Sequence, residues 1–212
     1  MFCKPIFITA TNTDVGKTYA TLKLIKYFSK RGLKVGVLKP IETGVQEYPH
    51  DGKLLLECAK RYNENLKSFT CRDIVPITYE LPAAPYVSKG KDSIDFQAIK
   101  EAYDKVLKVS DIVLIEGAGG LCVPVEKNFF MYDFIKFFDA KALLVTHSKL
   151  GCINDTLLNL ELLKALHVEH EWCINMRDEE SFEKTTLPYY KDRFGRVLTL
   201  QNDLREIASS LH

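Results

Sequence analysis

The residues of this chain best suited to chemistry are Thr9-Ala10-Thr11-Asn12-Thr13-Asp14-Val15-Gly16-Lys17-Thr18. They follow a short apolar run, Pro5-Ile6-Phe7-Ile8. They precede apolar residues at Ala20, Leu24, Tyr27 and Phe28, the spacing of one helix face. A strand, a tight loop and a Gly-Lys-Thr opening a helix make a phosphate cradle. Backbone N–H groups and the positive helix end face the phosphates, the lysine reaches the terminal ones, and the hydroxyl takes Mg²⁺. The strict pattern wants a leading glycine where this chain has Thr11. Gly-Lys-Thr alone also opens ordinary helices, here capped by Thr13 or Asp14. Its place between a buried strand and an amphipathic helix favours the nucleotide site.

Three further residues stand where charge is costly unless it is used. Glu116 follows the apolar run Ile112-Val113-Leu114-Ile115 and precedes Gly117-Ala118-Gly119-Gly120, expected as a flexible stretch. A carboxylate there suits Mg²⁺, which takes oxygen ligands; a capping or loop role is the alternative. Lys39 lies between a strand and Pro40, placed to neutralise a developing phosphoryl or carboxyl anion. Asp51, after Pro49-His50, is equally a metal ligand and a helix cap.

The elements that must position these residues alternate along the chain. Strands are expected at Val35–Leu38, Asp111–Ile115 and Ala142–Thr146, with weaker ones at Trp172–Asn175 and Val197–Leu200. Another extended piece is expected from Arg72 to Ile77, and a loop around Pro82, Pro85 and Gly90. Helices are expected from Asp51 to Tyr62, over Phe96–Leu107, from Tyr132 to Phe138, and from Cys152 to Leu166 with Ile153, Leu157, Leu160 and Leu163 as its apolar stripe. Near-continuous apolar strands separated by helices imply an α/β fold of three layers: a mostly parallel central sheet with helices on both faces. Ligands in such sheets sit at the carboxyl ends of the strands. That rule gathers the phosphate loop, Lys39, Glu116, His147-Ser148-Lys149 and Asn175 along one crevice.

At 212 residues the chain suits one domain, residues 1–212. A formal net charge of +1 gives no basis for a nucleic-acid or anionic-membrane partner. No apolar run is as long as a spanning helix and no signal-peptide pattern is present, so a cytoplasmic protein is expected. The six cysteines form no C-x-x-C pair and no metal-finger spacing, and His167 and His170 lack a third ligand nearby. Neither disulfides nor zinc are expected.

Taken together, Thr11 to Thr18, Lys39-Pro40, Glu116-Gly117-Ala118-Gly119-Gly120 and Lys149-Leu150-Gly151-Cys152-Ile153-Asn154 closely resemble the dethiobiotin synthetase family, in the same order and as far as about Asn175. The family belongs to the P-loop NTPase superfamily, and its long phosphate loop accounts for the absent leading glycine. The resemblance implies an ATP-dependent ligase of biotin biosynthesis. CO₂ adds to one amine of 7,8-diaminononanoate; ATP activates the carbamate as a carbamic–phosphoric anhydride; the second amine closes the ring.

The resemblance also assigns roles. Lys39, Lys17 and Thr13 are catalytic, and Thr18, Asp51 and Glu116 hold Mg²⁺. Asp14, Val15, Gly16, Lys17, Thr18, Tyr19, Glu116, Gly117, Ala118, Gly119 and Asn175 bind the nucleotide. Thr43 touches the diamine, and Leu150, Gly151, Cys152, Ile153 and Asn154 meet its carboxylate from the partner subunit of a homodimer. Read without the resemblance, Gly151 to Asn154 are an ordinary helix start.

The chain departs from the family in three places. Ala10 replaces a glycine before the phosphate loop. Ala83-Ala84-Pro85-Tyr86 stands where a Ser-Pro-His-like segment is common. Arg196 to Gln201 lacks the glycine and proline that shape the loop over the base. Looser base selection is expected from the third. Two other readings are a sister ATPase that switches partners, as in partitioning or metal delivery, and a non-catalytic nucleotide-binding module. The first usually carries an early lysine in the loop or a His/Cys-rich tract, and this chain has neither; the second needs no Lys39.

Overall fold

The computed structural model describes residues 3–212. In chain order the elements are β1 (Ile6–Ala10), α1 (Lys17–Ser29), β2 (Val35–Leu38), β3 (Ile41–Thr43), α2 (His50–Lys60), α3 (Cys71–Ile74), β4 (Ile77–Tyr79), α4 (Pro85–Ser88) and α5 (Phe96–Leu107). There follow β5 (Ile112–Gly120), β6 (Pro124–Glu126), β7 (Phe129–Phe130), α6 (Asp133–Phe137), β8 (Lys141–His147), α7 (Cys152–Ala165), β9 (His170–Asn175), α8 (Glu179–Thr185), α9 (Leu187–Phe194) and α10 (Leu204–Leu211).

The central sheet has five strands in the order β2-β5-β1-β8-β9, with every pairing parallel. All residues of β1 and β2 are buried, which requires cover on both faces. Helical crossovers supply it, and connections between parallel strands are almost always right-handed. The step from β1 to β2 runs one way along the sheet, and the steps from β2 to β5 and from β8 to β9 run the other. Their helices therefore fall on opposite faces. α1 lies on β1 and β5, whereas α5 lies on β2 and β5, and α7 on β8; α2, from the long connection between β2 and β5, returns to pack against α1, as does α10. One continuous core runs through Phe7, Leu24, Leu38, Leu114 and Leu144. Burial of such side chains contributes roughly 1.5–3 kcal/mol each.

Three local expectations are corrected. Residues 71–74 form the helix α3, not an extended piece, because Asp73 Oδ2 accepts from Thr70 N at 2.5 Å and from Thr70 Oγ1 at 2.9 Å. That reciprocal cap stabilises a first turn that apolar periodicity cannot reveal. Val197–Leu200 joins the sheet only through one bridge, Ile174 to Thr199, and forms no strand. The glycine run after Glu116 stays in strand conformation: β5 continues to Gly120, which pairs with Ala10. Gly117 lets the strand pass close to Phe7, since a Cβ would lie 3.0 Å from its ring. The stripe of α7 is also shallower than its spacing suggests. Leu163 is buried, Ile153, Leu157 and Leu160 are half-buried, and Leu158 beside them is 64% exposed.

Candidate active site

The register of the sheet brings the charged residues together. Leu38, the last residue of β2, pairs with Ile115 in the middle of β5, so the residues that follow, Lys39 and Glu116, meet. Lys39 Nζ donates to Glu116 Oε1 at 2.8 Å, lies 3.1 Å from Asp51 Oδ2, and approaches Gly117 O at 3.4 Å. Glu116 is fully buried and Lys39 is 2% exposed. Burial works against the Lys39 charge, but the Glu116 and Asp51 carboxylates overcome it and the ammonium is held above its ordinary range. Asp51 is likewise opposed by burial, yet the Lys39 charge brings its carboxyl below the usual value.

The phosphate loop stands opposite. It leaves β1, and Gly16 caps α1 with φ 115°, a left-handed conformation that favours glycine. A Cβ at Gly16 would lie 2.2 Å from Asn175 Nδ2. Lys17 is buried, with Nζ reaching Asn12 O at 3.3 Å. Burial, and then the nearby Lys39 cation, lowers its ammonium from 10.5 to about 8.

Thr18 and Thr21 lie on one face of α1, three residues apart, and both hydroxyls reach Glu116. Thr18 Oγ1 donates to Oε1 at 2.9 Å, and Thr21 Oγ1 lies 2.9 Å from Oε2 and 2.9 Å from Lys17 O. Thr18, Glu116 and Asp51 thus offer a hydroxyl and two carboxylates around a point where the Lys39 ammonium already sits between the acids. That oxygen donor set, able to flank a cation, fits Mg²⁺.

Lys17, Thr18, Lys39 and Asp51 line a cavity of about 590 Å³, together with Thr13, Asp14, Gly16, Thr43, Ala118, Gly119 and Arg177. One wall, Pro82-Ala83-Ala84-Pro85, is apolar and carries the short helix α4 where a plain loop was expected. Val15, Gly117, Tyr19 and Asn175 do not line the cavity, and neither does the fully buried Glu116, which lies behind Lys39 and Thr18. Asn175 sits beneath the phosphate loop, its Nδ2 donating to Val15 O at 2.8 Å. Residues 150–154 lie apart from the cavity. Cys152 is buried, Ile153 half-buried, and Leu150, Gly151 and Asn154 exposed, Leu150 by 87%. His147 braces the turn before them. Its Nδ1 accepts from Lys149 N at 3.2 Å, so Nε2 carries the proton and donates to Asp155 Oδ2 at 3.0 Å.

Four residues of the site were not singled out by the sequence. Glu42 accepts from Asp51 N and Gly52 N, both at 2.9 Å, and so fixes the start of α2 beside Lys39. Burial raises its carboxyl above the usual range against those hydrogen bonds. Thr21 was readable from helical spacing once Thr18 was assigned. Arg177 and Gln201 carry no local signal, because their partners lie at distant points of the chain.

Fold and cradle together define a P-loop α/β nucleotide-binding protein. A family model described as an AAA domain matches residues 4–180. A putative plasmid partition protein of Borrelia burgdorferi, solved bound to AMPPNP, is similar in fold, with a TM-score of 0.59, 12% identity, and coverage of 100% of this chain and 97% of that one. The chain is 44% identical over 207 residues to the ATP-dependent dethiobiotin synthetase BioD of Sulfurovum sp., covering 97% of this chain and 99% of the relative. It is 39% identical over 212 residues to the BioD of Wolinella succinogenes, covering 98% of each. The chain belongs to the dethiobiotin synthetase family.

Proposed function

We propose that this protein is a dethiobiotin synthetase: it carboxylates 7,8-diaminononanoate with CO₂ and closes the ureido ring at the expense of ATP. The observation that carries the reading is the buried Lys39 ammonium at the cavity floor, facing a phosphate loop across a space of about 590 Å³. A nucleotide-binding module has no use for a second buried lysine at that point.

The residues divide the work. The Val15–Thr18 backbone and the α1 N-terminus hold the β- and γ-phosphates. Lys17 and Lys39 neutralise charge as the carbamate oxygen attacks the γ-phosphorus and ADP departs. Thr13 and Thr43 orient the reactants, and the apolar 82–85 wall takes the hydrocarbon chain. Thr18, Asp51 and Glu116 would hold Mg²⁺, which supplies charge neutralisation at the phosphates. Holding a diamine, a carbamate and a triphosphate in one cavity converts encounters into an intramolecular sequence.

The unit is one domain over residues 1–212, working in the cytoplasm as a homodimer. Leu150 and Leu158 expose apolar surface at α7. The free N–H groups at the α7 N-terminus suit a carboxylate but lie outside this chain's own cavity, so they would serve the partner's substrate. The test is ATP turnover with and without diaminononanoate and bicarbonate. Turnover that needs both supports the synthetase; turnover indifferent to them indicates a switch ATPase, and none a binding module.

A further inference from the structure

The phosphate loop alternates in backbone sign. Asp14 has φ 57° and Gly16 has φ 115°, while Val15 between them is not in the positive region. Such alternation turns successive N–H groups toward one concavity that binds anions. Asp14 is not a glycine, so its left-handed conformation persists only where the surroundings enforce it.

Two side chains of one distant segment do so. Arg177 Nη2 donates to Asp14 O at 2.6 Å, and Asn175 Nδ2 donates to Val15 O at 2.8 Å. In a trans peptide the carbonyl and the next N–H point in opposite directions. Holding these two carbonyls outward therefore turns the N–H groups of Val15 and Gly16 inward. The segment is itself braced. Gln201 Nε2 donates to Asn175 Oδ1 and to Met176 O, both at 3.0 Å, and its Oε1 accepts from Met176 N at 3.1 Å. Arg177 N donates to the buried Ser148 Oγ at 3.0 Å. The Arg177 side chain is exposed at the cavity rim, so the core does not depend on it.

We propose that Arg177 is a positioning residue for nucleotide phosphates, holding the cradle in its anion-binding shape before nucleotide arrives, with Asn175 and Gln201 as its brace. This rests on the triphosphate reading of the cradle. It concerns the phosphates, not the base or the diamine.

The test uses Arg177→Gln, Arg177→Lys and Gln201→Ala, with Mg²⁺-tripolyphosphate as a probe that has neither base nor sugar. By calorimetry, Arg177→Gln should weaken tripolyphosphate and ATP by the same factor, about tenfold, as expected for one lost charged hydrogen bond. Gln201→Ala should weaken both less. KM for ATP should rise with KM for diaminononanoate and the ligand-free melting temperature unchanged, and Arg177→Lys should recover part of the loss. In the ligand-free enzyme the Val15 and Gly16 amide resonances should move in Arg177→Gln. Unaltered tripolyphosphate affinity, weakening of ATP alone, or unmoved free-state resonances would each overturn the proposal. Wild-type protein that binds tripolyphosphate but makes no dethiobiotin would defeat the proposed reaction and leave this inference standing; wild-type protein that binds neither probe would defeat both.

Discussion

Lys39 and Glu116 form a buried ion pair, 2.8 Å apart, where β2 ends beside the middle of β5. Neither charge is tolerable there alone. Removing one partner of a buried pair costs about 3–5 kcal/mol because the other is left unpaired. Glu116→Gln should therefore lower the melting temperature, and it also removes a ligand of the proposed Mg²⁺ site. Chelation of Mg²⁺ should abolish wild-type activity reversibly. Titration of Mg²⁺ into Glu116→Gln should show half-saturation raised roughly 10–100-fold; an unchanged Mg²⁺ requirement would remove Glu116 from the metal site.

Lys17 supplies the pH dependence. Burial and the Lys39 cation set its ammonium at about 8, below the unfolded value of 10.5. The charged form thus opposes folding below about pH 8. From there to 10.5 the unfolded chain holds more protons, so this residue's contribution to stability rises with pH across that window. A bound triphosphate favours the ammonium, so ATP binding should take up protons at about pH 8.5 and close to none at about pH 6.5. Calorimetry in two buffers of different ionisation enthalpy measures this, and equal uptake at both pH values would count against it.

Gly16 tests the cradle from the steric side. Its φ of 115° and the 2.2 Å approach of Asn175 Nδ2 leave no room for a methyl group. Gly16→Ala should cost roughly 1–3 kcal/mol of stability and most of the ATP affinity. Thermal melting and nucleotide titration of the same preparation check both halves. A variant that binds ATP normally would show the loop to be adaptable.

Much of this site was legible because its chemistry is local. Gly16-Lys17-Thr18 sits between a strand and a helix whose periodicities are plain, and Glu116 ends a run of four apolar residues. What escaped was non-local or too short. The α3 turn rests on the single Thr70–Asp73 cap. Glu42 works by capping a helix that starts eight residues later, and Arg177 acts on Asp14 from 163 residues away. Glycine-rich residues 117–120 read as flexible, yet the Phe7 ring and the Ala10 pairing hold them in the sheet.

Base selection should be loose. Gln201 takes one lone pair of Asn175 Oδ1, and one Asn175 N–H is committed to Val15 O, which leaves the carboxamide half its capacity, one N–H and one lone pair, to offer a base. GTP and CTP should support ring closure within about tenfold of ATP, since a single half-committed carboxamide discriminates by little more. Initial rates at matched concentrations decide this; a strong preference for ATP would contradict it.

The α7 surface carries a prediction about assembly. A charge at Leu158, which is 64% exposed, would be buried in the proposed dimer and uncompensated. Leu158→Asp should sediment as a monomer and show raised KM for diaminononanoate with ATP binding retained. A dimer of unchanged stability would remove α7 from the interface.

The most direct measurement is dethiobiotin formation by Lys39→Met, assayed on protein shown by circular dichroism to be folded. Ring closure reduced by roughly 10²–10³-fold or more, the scale of a lost transition-state charge contact, with ATP still bound, is the expected result. Ring closure at the wild-type rate would contradict the role given to the buried lysine.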